Sequence, residues 1–592
     1  MNKAPLWPAI MIGWAVAALV LCLAMSRDIA GLWFPDPDDA MRLNQVRDLL
    51  GGQSWWDVSQ HRLNNGDFAM HWSRLVDLPL AAVIATLQPL FGAAIATRAS
   101  MVIVPLVTLL SVMALATMIT RRLLDTDRAR TAVLLAPLSI PIIYQMRPMR
   151  IDHHGWQVTL ALLAMLALIG KPDRRSGALL GMSLAVLVTI SMEGLPIAAT
   201  IMGMAALGWA ITPARREQLL AAIWTWCGGA ALLHVATRGP GMFAHACDAM
   251  SPAWLIALAV AASGITLVVL LIARRAPVVR IAGLAVAAGV VLATLVLIAP
   301  DCLHGPFSRL DPLVRSFWYE KVSEGMPVWE QVPVWGIATI GFPLFGLIGT
   351  VLATREARGE ASGRWLMLLG VALPAFLLSV MVIRAGATAN ALAIPGGAWL
   401  LHALLVRARA IGPVLPRTAA TAGAFALATP GLMATILLGF PINTPQVAAA
   451  QGGAGVAPCH QGHEIAALAA LPAGRVFAPV DVSPEILATT GLSAIGAGYH
   501  RNDRAIHTVL ATFMADPVTA HATISRLHVS YVAACPGVNE TDMYKKISPH
   551  GFWAQLEGGT RFDWLEPVPL AGSPVLAWRV IDRPATPIPA HS

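Results

Sequence analysis

The pattern that decides the fold is clearest in residues 252–299, PAWLIALAVAASGITLVVLLIARRAPVVRIAGLAVAAGVVLATLVLIA. Two apolar runs, 252–273 and 279–299, are each about 20 residues long, which is the length of a helix that crosses the hydrocarbon core of a bilayer. The short segment between them is rich in arginine. This stretch therefore predicts two membrane-spanning helices joined by a basic loop.

The composition of the whole chain agrees with this pattern. Of the 592 residues, 56% are apolar and 12% are charged, whereas soluble domains carry about 25% charged residues. These values exclude a soluble enzyme, a disordered chain and a coiled coil. The net charge is +8, but the basic residues lie in short loops between apolar runs, so we expect no nucleic-acid partner.

The apolar pattern recurs along the first 440 residues. The first run, Leu6–Met25, lacks a clear cleavage site, so we expect an uncleaved anchor with its N-terminus in the cytoplasm. Further runs centre on 99–119, 131–145, 155–170, 176–192, 195–212, 217–235, 252–273, 279–299, 333–353, 365–383, 387–406 and 418–440. Every second loop is basic, which assigns these loops to the cytoplasm by the positive-inside rule. The sequence thus predicts a polytopic α-helical membrane protein with about 13 transmembrane helices.

The long connections fall on the other side of the membrane. They are residues 26–98, 236–251, 300–332 and 441–592. The last has ordinary composition and is long enough for a core of its own. Its predicted strands are Val476–Val480, Tyr531–Ala534 and Val575–Ile581, and its predicted helices are Arg504–Met514 and Val518–Leu527. We therefore predict a transmembrane domain, 1–440, whose outer loops 26–98 and 300–332 form a site, and an α/β domain on the outer side, 441–592.

The six cysteines are too few for a disulfide scaffold, and they show no CxxC or zinc-binding spacing. Four of them fall on the predicted outer side. An oxidising compartment would allow two disulfides there, Cys247–Cys302 and Cys459–Cys535. Cys22 and Cys227 lie within spans, where we expect them to act as small apolar residues.

Acids and histidines are dense in the outer loops near the membrane surface. Asp152-His153-His154 directly precedes a span, and a carboxylate and an imidazole with open positions suit Mn²⁺ or Mg²⁺. The alternative is that the two histidines form only hydrogen bonds at the interface. Glu193 and Arg384 are the charges of two short outer turns.

Five outer stretches carry a family resemblance: DPDDAMR (36–42), MHWSRLVD (70–77), DHH (152–154), SEGMP (323–327) and Arg384. In their order along the chain and on the predicted outer side of the membrane, these stretches resemble the motifs of oligosaccharyltransferase catalytic subunits of the archaeal and bacterial type. Those proteins are multispan glycosyltransferases of the GT-C class. About thirteen spans followed by an outer domain is also the layout of that family, so the resemblance covers the chain from end to end.

The resemblance implies inverting transfer of a sugar from a polyprenyl phosphate or diphosphate donor. It implies a divalent metal, Mn²⁺ or Mg²⁺, with Asp36, Asp152 and His154 as ligands. It implies that Arg384 binds the donor phosphate. The catalytic residues implied are Asp36, Asp152 and Glu324, with Asp36 and Glu324 orienting and deprotonating the acceptor.

Two departures from the family concern the acceptor. The Trp-Trp-Asp-Tyr-Gly motif that binds the hydroxyl residue of a sequon is missing, and Asp481 alone stands in its place. The threonine of the Thr-x-x-Glu motif is replaced by Lys321. The cluster Tyr499, His500 and Arg501 is a candidate acceptor-binding site, or else an ordinary loop after a strand.

We therefore expect a glycolipid or polysaccharide acceptor at the outer face of a bacterial inner membrane. One alternative is an oligosaccharyltransferase that glycosylates protein asparagine. A second alternative is a transporter or flippase of lipid-linked sugars. Transporters place charges at mid-bilayer on broken helices, often in repeats. The acids here cluster at the outer rim and the sequence has no repeat, which favours a transferase.

Overall fold

The computed structural model describes residues 5–66, 68–305, 307–438 and 464–581. The chain forms two compact units. The first consists of Met1–Met25, His71–Ser308 and Val322–Pro441, and the second of Ser26–Met70, Arg309–Lys321 and the described part of Ile442–Ser592. The two predicted outer loops thus each contribute a segment to the second unit. The predicted domain boundary at residue 440 lies outside the described residues and stays a prediction.

Helices dominate the described chain. They are α1 (Leu6–Ala24), α2 (Ser26–Gly31), α3 (Pro37–Leu50), α4 (Asp77–Leu123), α5 (Thr126–Leu135), α6 (Ile140–Met146), α7 (His154–Leu168), α8 (Arg174–Ile190), α9 (Leu195–Ile211), α10 (Arg216–Arg238), α11 (Pro252–Ile272), α12 (Pro277–Ile298), α13 (Pro300–Leu303), α14 (Pro312–Phe317), α15 (Pro333–Glu356), α16 (Glu360–Met381), α17 (Gly386–Arg409), α18 (Val414–Ala428), α19 (Pro430–Leu438), α20 (Ser483–Thr489), α21 (Asp503–Met514), α22 (Pro517–Arg526), α23 (Asn539–Ile547) and α24 (Phe552–Glu557). The strands are β1 (Arg475–Phe477), β2 (Ser493–Ala494), β3 (Tyr531–Ala534), β4 (Leu565–Pro567) and β5 (Leu576–Val580).

The first unit contains the candidate membrane spans. Within the described ranges, nine helices are long and apolar enough to cross a membrane: α1, α4, α9, α10, α11, α12, α15, α16 and α17. Two bent pairs, α5 with α6 and α18 with α19, pass the same test as pairs. The remaining predicted runs fall on α7 and α8, which have 15 and 17 residues. The prediction of a polytopic α-helical membrane protein is confirmed.

Proline breaks two apolar runs that the sequence predicts to be continuous. Glycine kinks a third helix, which begins within a predicted loop. The pairs α5–α6 and α18–α19 bend by 67° and 98°, and Pro141 and Pro430 lie in the first turn of α6 and α19. Proline cannot continue a helix because it lacks the N–H and its ring clashes with the preceding turn. The helix α4 begins at Asp77, although residues 77–98 are predicted as outer loop. It is kinked at Gly92, whose φ of 79° suits glycine.

Small residues let the spans pack closely. A Cβ atom on Gly349 of α15 would lie 2.0 Å from the carbonyl oxygen of Gly396 of α17. Between α8 and α10, a Cβ on Gly181 would lie 2.2 Å from the carbonyl oxygen of Ala222. Such close backbone approach is how helices associate in membranes, where the hydrophobic effect between them is weak.

The second unit is built on a five-stranded sheet in the order β2-β1-β3-β5-β4. The strand β1 is parallel to β2 and β3, whereas β5 is antiparallel to β3 and β4. Aromatic side chains of the flanking helices fill the core, and Phe513 of α21 stacks on Phe552 and Tyr544. The predicted C-terminal α/β domain is confirmed, and the predicted strand Tyr531–Ala534 has the bounds of β3.

Two segments from outside the C-terminal region belong to this unit. The guanidinium of Arg62 donates to the carbonyl oxygens of Leu487 and Thr490, at 2.7 and 3.0 Å, at the end of α20. Within the segment 309–321, Val314 of α14 is fully buried in the core of this unit. These contacts fix residues 26–70 and 309–321 to the α/β sheet.

Cys247 and Cys302 form a disulfide, with Cα atoms 5.0 Å apart. The first predicted pairing is therefore confirmed. Cys459 lies outside the described residues, so its pairing with Cys535 stays a prediction. Cys22 and Cys227 are free.

Candidate functional site

Four turns of the first unit bring charged residues together. They are the α6–α7 turn, the α8–α9 turn, the segment Ser323–Gly325 and the α16–α17 turn. The last two are joined directly, because the backbone N–H of Ile383 donates to the carbonyl oxygen of Met326 at 3.2 Å. We call the charged and imidazole side chains of these turns the rim cluster: Arg150, Asp152, His153, His154, Glu193, Glu324 and Arg384.

Asp152 organises the start of α7. Its Oδ1 accepts a hydrogen bond from the backbone N–H of His154, the first residue of the helix, at 3.0 Å. Its Oδ2 lies 2.7 Å from Nδ1 of the same histidine. Met149 just before this turn has a positive φ of 73°, an uncommon conformation for a residue with a side chain. The local backbone is thus held in an unusual shape that presents the Asp-His-His sequence.

Arg150 links two of the predicted catalytic acids. Its Nη2 lies 2.8 Å from Oδ2 of Asp152 and 3.0 Å from Oε1 of Glu324. Burial raises the pKa of Asp152, but the charges of Arg150 and His154 outweigh it and hold that pKa well below its usual value. Asp152 is therefore a carboxylate at neutral pH.

Glu193 occupies the other half of the rim cluster. Its Oε1 lies 2.5 Å from Nη1 of Arg384. Its Oε2 lies 3.5 Å from Nε2 of His153 and 3.7 Å from Nε2 of His154. Glu193 and Arg384 are each the single charge of a short turn, and the structure pairs these two charges with each other.

The two histidines stack, with ring centroids 4.4 Å apart. Both are buried, and Nε2 of His154 and Nδ1 of His153 make no hydrogen bond. When the ring of His154 is neutral, donation from Nδ1 to Asp152 leaves the lone pair on Nε2, which is the tautomer that binds metals. His153, His154 and Glu193 each present a ligand atom, and these atoms lie within 4.8 Å of one another. The residues present therefore fit a divalent metal ion.

The predicted ligand set of Asp36, Asp152 and His154 stays a prediction. In the structure both Asp152 oxygens face His154, and one also faces Arg150. Asp36 lies in the second unit, where it caps α3 by accepting from the backbone N–H of Asp38 at 2.9 Å.

Asp36 and Asp481 influence each other within the second unit. Burial and the charge of Asp36 raise the pKa of Asp481 to about 6. The backbone N–H of Asp481 donates to Glu540 at 3.0 Å. The residue that stands in place of the missing sequon motif is thus anchored beside a predicted catalytic acid.

The three candidate acceptor-binding residues differ in exposure. Tyr499 is buried, stacks on Phe68 with centroids 5.9 Å apart, and has a pKa raised by burial and by Asp38 and Asp36. His500 is half-buried and Arg501 is exposed. The accessible side chains of this cluster are therefore those of His500 and Arg501.

Sequence reasoning assigned no role to Arg150, His153 or Glu193. The available signal was the occurrence of single charged residues in short turns between apolar runs, since charges at a membrane edge are costly without a partner. Their partners are distant in sequence, with Arg384 and Glu193 separated by 191 residues. Helix packing decides which turns come into contact, and the sequence motifs do not specify that packing.

Comparison with known proteins identifies the fold. No protein-family profile and no curated protein sequence matches this chain. Among solved structures, it is similar to the Archaeoglobus fulgidus oligosaccharyltransferase tethered with an acceptor peptide containing the NVT sequon, with a TM-score of 0.65 and 13% identity over 93% of this chain and 72% of the other. The chain has the fold of an oligosaccharyltransferase. The resemblance inferred from the motifs is confirmed at the level of the fold.

Two further structures of this type are similar. One is the archaeal oligosaccharyltransferase AglB from Archaeoglobus fulgidus in complex with an inhibitory peptide and a dolichol-phosphate, with a TM-score of 0.61, 14% identity and coverage of 89% of this chain and 69% of the other. The other is the Archaeoglobus fulgidus oligosaccharyltransferase complex with Zn and sulfate, with a TM-score of 0.55, 13% identity and coverage of 88% and 67%.

Proposed function

We propose that this protein is an inverting membrane glycosyltransferase that transfers a sugar from a polyprenyl phosphate or diphosphate to a glycolipid or polysaccharide. The observation that carries the proposal is the rim cluster, which joins Asp152, His154 and Glu324 through Arg150 in a chain with an oligosaccharyltransferase fold. Buried charges of this kind are costly and mark functional sites.

The proposed donor site centres on Arg384. Its guanidinium has the planar fork that matches a phosphate, and its side chain is 25% exposed. A similar archaeal structure contains a dolichol-phosphate, which supports a lipid phosphate as the donor group here. The lipid tail of such a donor explains why the site lies at the ends of membrane helices.

The proposed metal centre involves Asp36, Asp152 and His154. A divalent ion bound there would neutralise the charge that develops on the leaving phosphate. Mn²⁺ or Mg²⁺ are the ions we expect, and the presence of Zn in a similar structure supports a divalent site. The chain's own residues prepare this site, because Asp152 fixes the ring of His154 and Arg150 holds Glu324 near Asp152.

The acceptor is proposed to be a hydroxyl group. A site that selects a sequon needs polar contacts to the serine or threonine, and the motif that provides them is reduced to Asp481. Asp36 and Glu324 are the proposed acids that orient and deprotonate the acceptor hydroxyl. The proposed location is the outer face of a bacterial inner membrane, with the N-terminus cytoplasmic and residues 441–592 periplasmic.

The test is mass spectrometry of envelope glycolipids, polysaccharides and glycoproteins from a strain that lacks the chain. We expect one sugar to be lost from a glycolipid or polysaccharide, and to be restored by the wild-type chain but not by Asp152→Ala. Loss of an asparagine-linked glycan instead would favour the oligosaccharyltransferase alternative. Full restoration by Asp152→Ala would favour a transporter and would contradict the proposed site.

A further inference from the structure

Glu193 lies between the two functional groups of the rim cluster. It belongs to the turn Met192–Gly194 between α8 and α9, and 39% of its side chain is exposed. One carboxylate oxygen faces Arg384 at 2.5 Å, and the other faces Nε2 of His153 and of His154 at 3.5 and 3.7 Å. A single carboxylate thus lies between a guanidinium and two imidazole nitrogens.

The imidazole side is arranged for a ligand. His154 is 3% exposed, and its Nε2 makes no hydrogen bond. Asp152 faces the other ring nitrogen, so in the neutral ring the lone pair at Nε2 is directed toward Glu193, 3.7 Å away. A buried polar atom without a hydrogen bond requires an explanation, and a bound cation at this position would provide one.

We propose that Glu193 is an exchangeable ligand of a divalent metal ion bound by Nε2 of His153 and His154. This set keeps His154 of the proposed metal centre and takes His153 and Glu193 in place of Asp36 and Asp152, because both Asp152 oxygens already face His154. Without phosphate, Glu193 forms its ion pair with Arg384. When a lipid-linked phosphate occupies Arg384, Glu193 is released to coordinate the metal ion. This inference rests on the proposed function only in taking Arg384 as the phosphate-binding residue.

The charges favour this exchange. A phosphate offers a guanidinium more acceptor oxygens and more negative charge than a carboxylate does. A carboxylate displaced from Arg384 lies next to the imidazole nitrogens, where a divalent cation would stabilise it. Metal and phosphate then strengthen each other's binding by the same factor, because such coupling is reciprocal.

The ligand set also predicts which metal binds. Two imidazole nitrogens and one carboxylate oxygen suit Mn²⁺ or Zn²⁺ better than Mg²⁺, which prefers oxygen ligands and retains several waters. Of the two ions expected from the sequence, this site favours Mn²⁺. Three protein ligands leave positions open for substrate.

The test is Mn²⁺ binding to the full-length protein in detergent, measured by titration calorimetry with and without farnesyl phosphate, a short lipid phosphate. In the presence of farnesyl phosphate, we expect Glu193→Gln to weaken Mn²⁺ binding about tenfold or more. We expect farnesyl phosphate to tighten Mn²⁺ binding about tenfold in the wild type and not in Glu193→Gln. The matched control is Glu217→Gln, which removes an exposed carboxylate paired with Arg174 at 3.4 Å and should leave both affinities unchanged.

A second variant keeps the carboxylate and removes its partner. Arg384→Ala should tighten Mn²⁺ binding several-fold without phosphate, because Glu193 is then released, and should abolish the response to farnesyl phosphate. The double variant Glu193→Gln/Arg384→Ala is compared with Glu193→Gln alone. If Arg384→Ala acts by releasing Glu193, the two variants bind Mn²⁺ equally. Tighter Mn²⁺ binding by the double variant would show a direct through-space effect of the arginine charge and would overturn the proposal.

The same titrations separate this inference from the proposed function. Coupled binding of Mn²⁺ and farnesyl phosphate that depends on Glu193 supports the inference even if no sugar transfer is found. In the presence of farnesyl phosphate, an unchanged Mn²⁺ affinity of Glu193→Gln overturns the inference even if sugar transfer is found. Tighter binding of Mg²⁺ than of Mn²⁺ would also contradict the proposed ligand set.

Discussion

At the scale of single residues, Asp152 connects the backbone, a histidine and an arginine. It accepts a hydrogen bond from the backbone N–H at the start of α7, and it lies 2.7 Å from His154 Nδ1 and 2.8 Å from Arg150 Nη2. The Asp-His-His motif predicted that Asp152 and His154 act together. It did not predict Glu193, because the packing of four helix ends, rather than any local spacing, brings that acid to the histidines.

We expect Asp152→Asn to abolish sugar transfer and to lower the midpoint of thermal unfolding while the protein still inserts into the membrane. Asparagine can still accept from the backbone N–H of His154, but the carboxylate charge that pairs with Arg150 is lost, and unbalancing a buried ion pair costs up to about 3–5 kcal/mol. Asp173→Asn is the control, since Asp173 caps α8 with a half-buried carboxylate outside the rim cluster. Normal transfer activity in Asp152→Asn would contradict the assignment.

A second residue-scale prediction concerns Arg384 and the lipid donor. Removing one charge-assisted phosphate contact costs about 1.5–3 kcal/mol, so Arg384→Ala should raise the Michaelis constant for the donor about ten- to hundredfold. Arg384→Lys should recover only part of this loss, because an ammonium lacks the planar fork. Steady-state kinetics at varied donor concentration measure both effects, and an unchanged Michaelis constant would refute the role.

At the scale of elements, much of the fold follows from sequence patterns. Apolar runs of span length predicted the membrane helices, and the apolar stretch Tyr531–Ala534 predicted β3. The bends within α5–α6 and α18–α19 were missed because apolar composition continues across the breaks, and only Pro141 and Pro430 mark them. The strand β2 has only two residues, too few to form a pattern.

Close packing of α15 and α17 gives a prediction about helix association. Gly349→Ala should destabilise the protein, because its Cβ would lie 2.0 Å from the carbonyl oxygen of Gly396, and overpacking costs about 1–3 kcal/mol. Gly363→Ala in α16 is the matched control, since a Cβ there meets nothing within 4 Å, and alanine favours a helix by about 0.5–1 kcal/mol. Thermal unfolding in detergent should show a lower midpoint for the first variant alone, and equal midpoints would contradict the packing.

The α/β sheet unit gives a prediction about pH. Burial and the charge of Asp481 raise the pKa of Glu540 to about 8, although backbone N–H groups and Tyr544 donate hydrogen bonds to it. The folded-state pKa exceeds the unfolded value of about 4.3. Protonated Glu540 therefore contributes to the free energy of unfolding. This contribution is fully present below the unfolded pKa and is lost as the pH rises through the folded pKa of about 8.

Denaturant unfolding of the full chain should therefore show a free energy of unfolding that falls between the unfolded and the folded pKa of Glu540. Glu540→Gln should flatten the dependence, because glutamine does not ionise. Glu566→Gln, an exposed residue of β4, should leave the dependence unchanged. A wild-type profile that rises between pH 5 and 8, with no effect of Glu540→Gln, would contradict the assignment.

At the scale of the whole molecule, the chain combines a bundle of apolar helices with an α/β unit, in the fold of an oligosaccharyltransferase. Sequence identity to such structures is 13–14%, so the fold is retained although most residues differ. The motifs that resemble the donor and metal motifs of such proteins remain, whereas only Asp481 stands in place of the acceptor motif. This contrast is why we propose a different acceptor for a similar donor.

The central claim is metal-dependent transfer of a sugar from a lipid-linked donor to a hydroxyl acceptor. The most direct measurement supplies the purified full-length protein with a polyprenyl-linked sugar, Mn²⁺ and two acceptors, a sequon peptide and extracted envelope glycolipid. We predict that the sugar appears on the glycolipid, that chelation of Mn²⁺ or Asp152→Asn stops the transfer, and that the peptide stays unmodified. Sugar on the peptide asparagine at a rate matching the glycolipid, or transfer that persists in Asp152→Asn, would contradict this account.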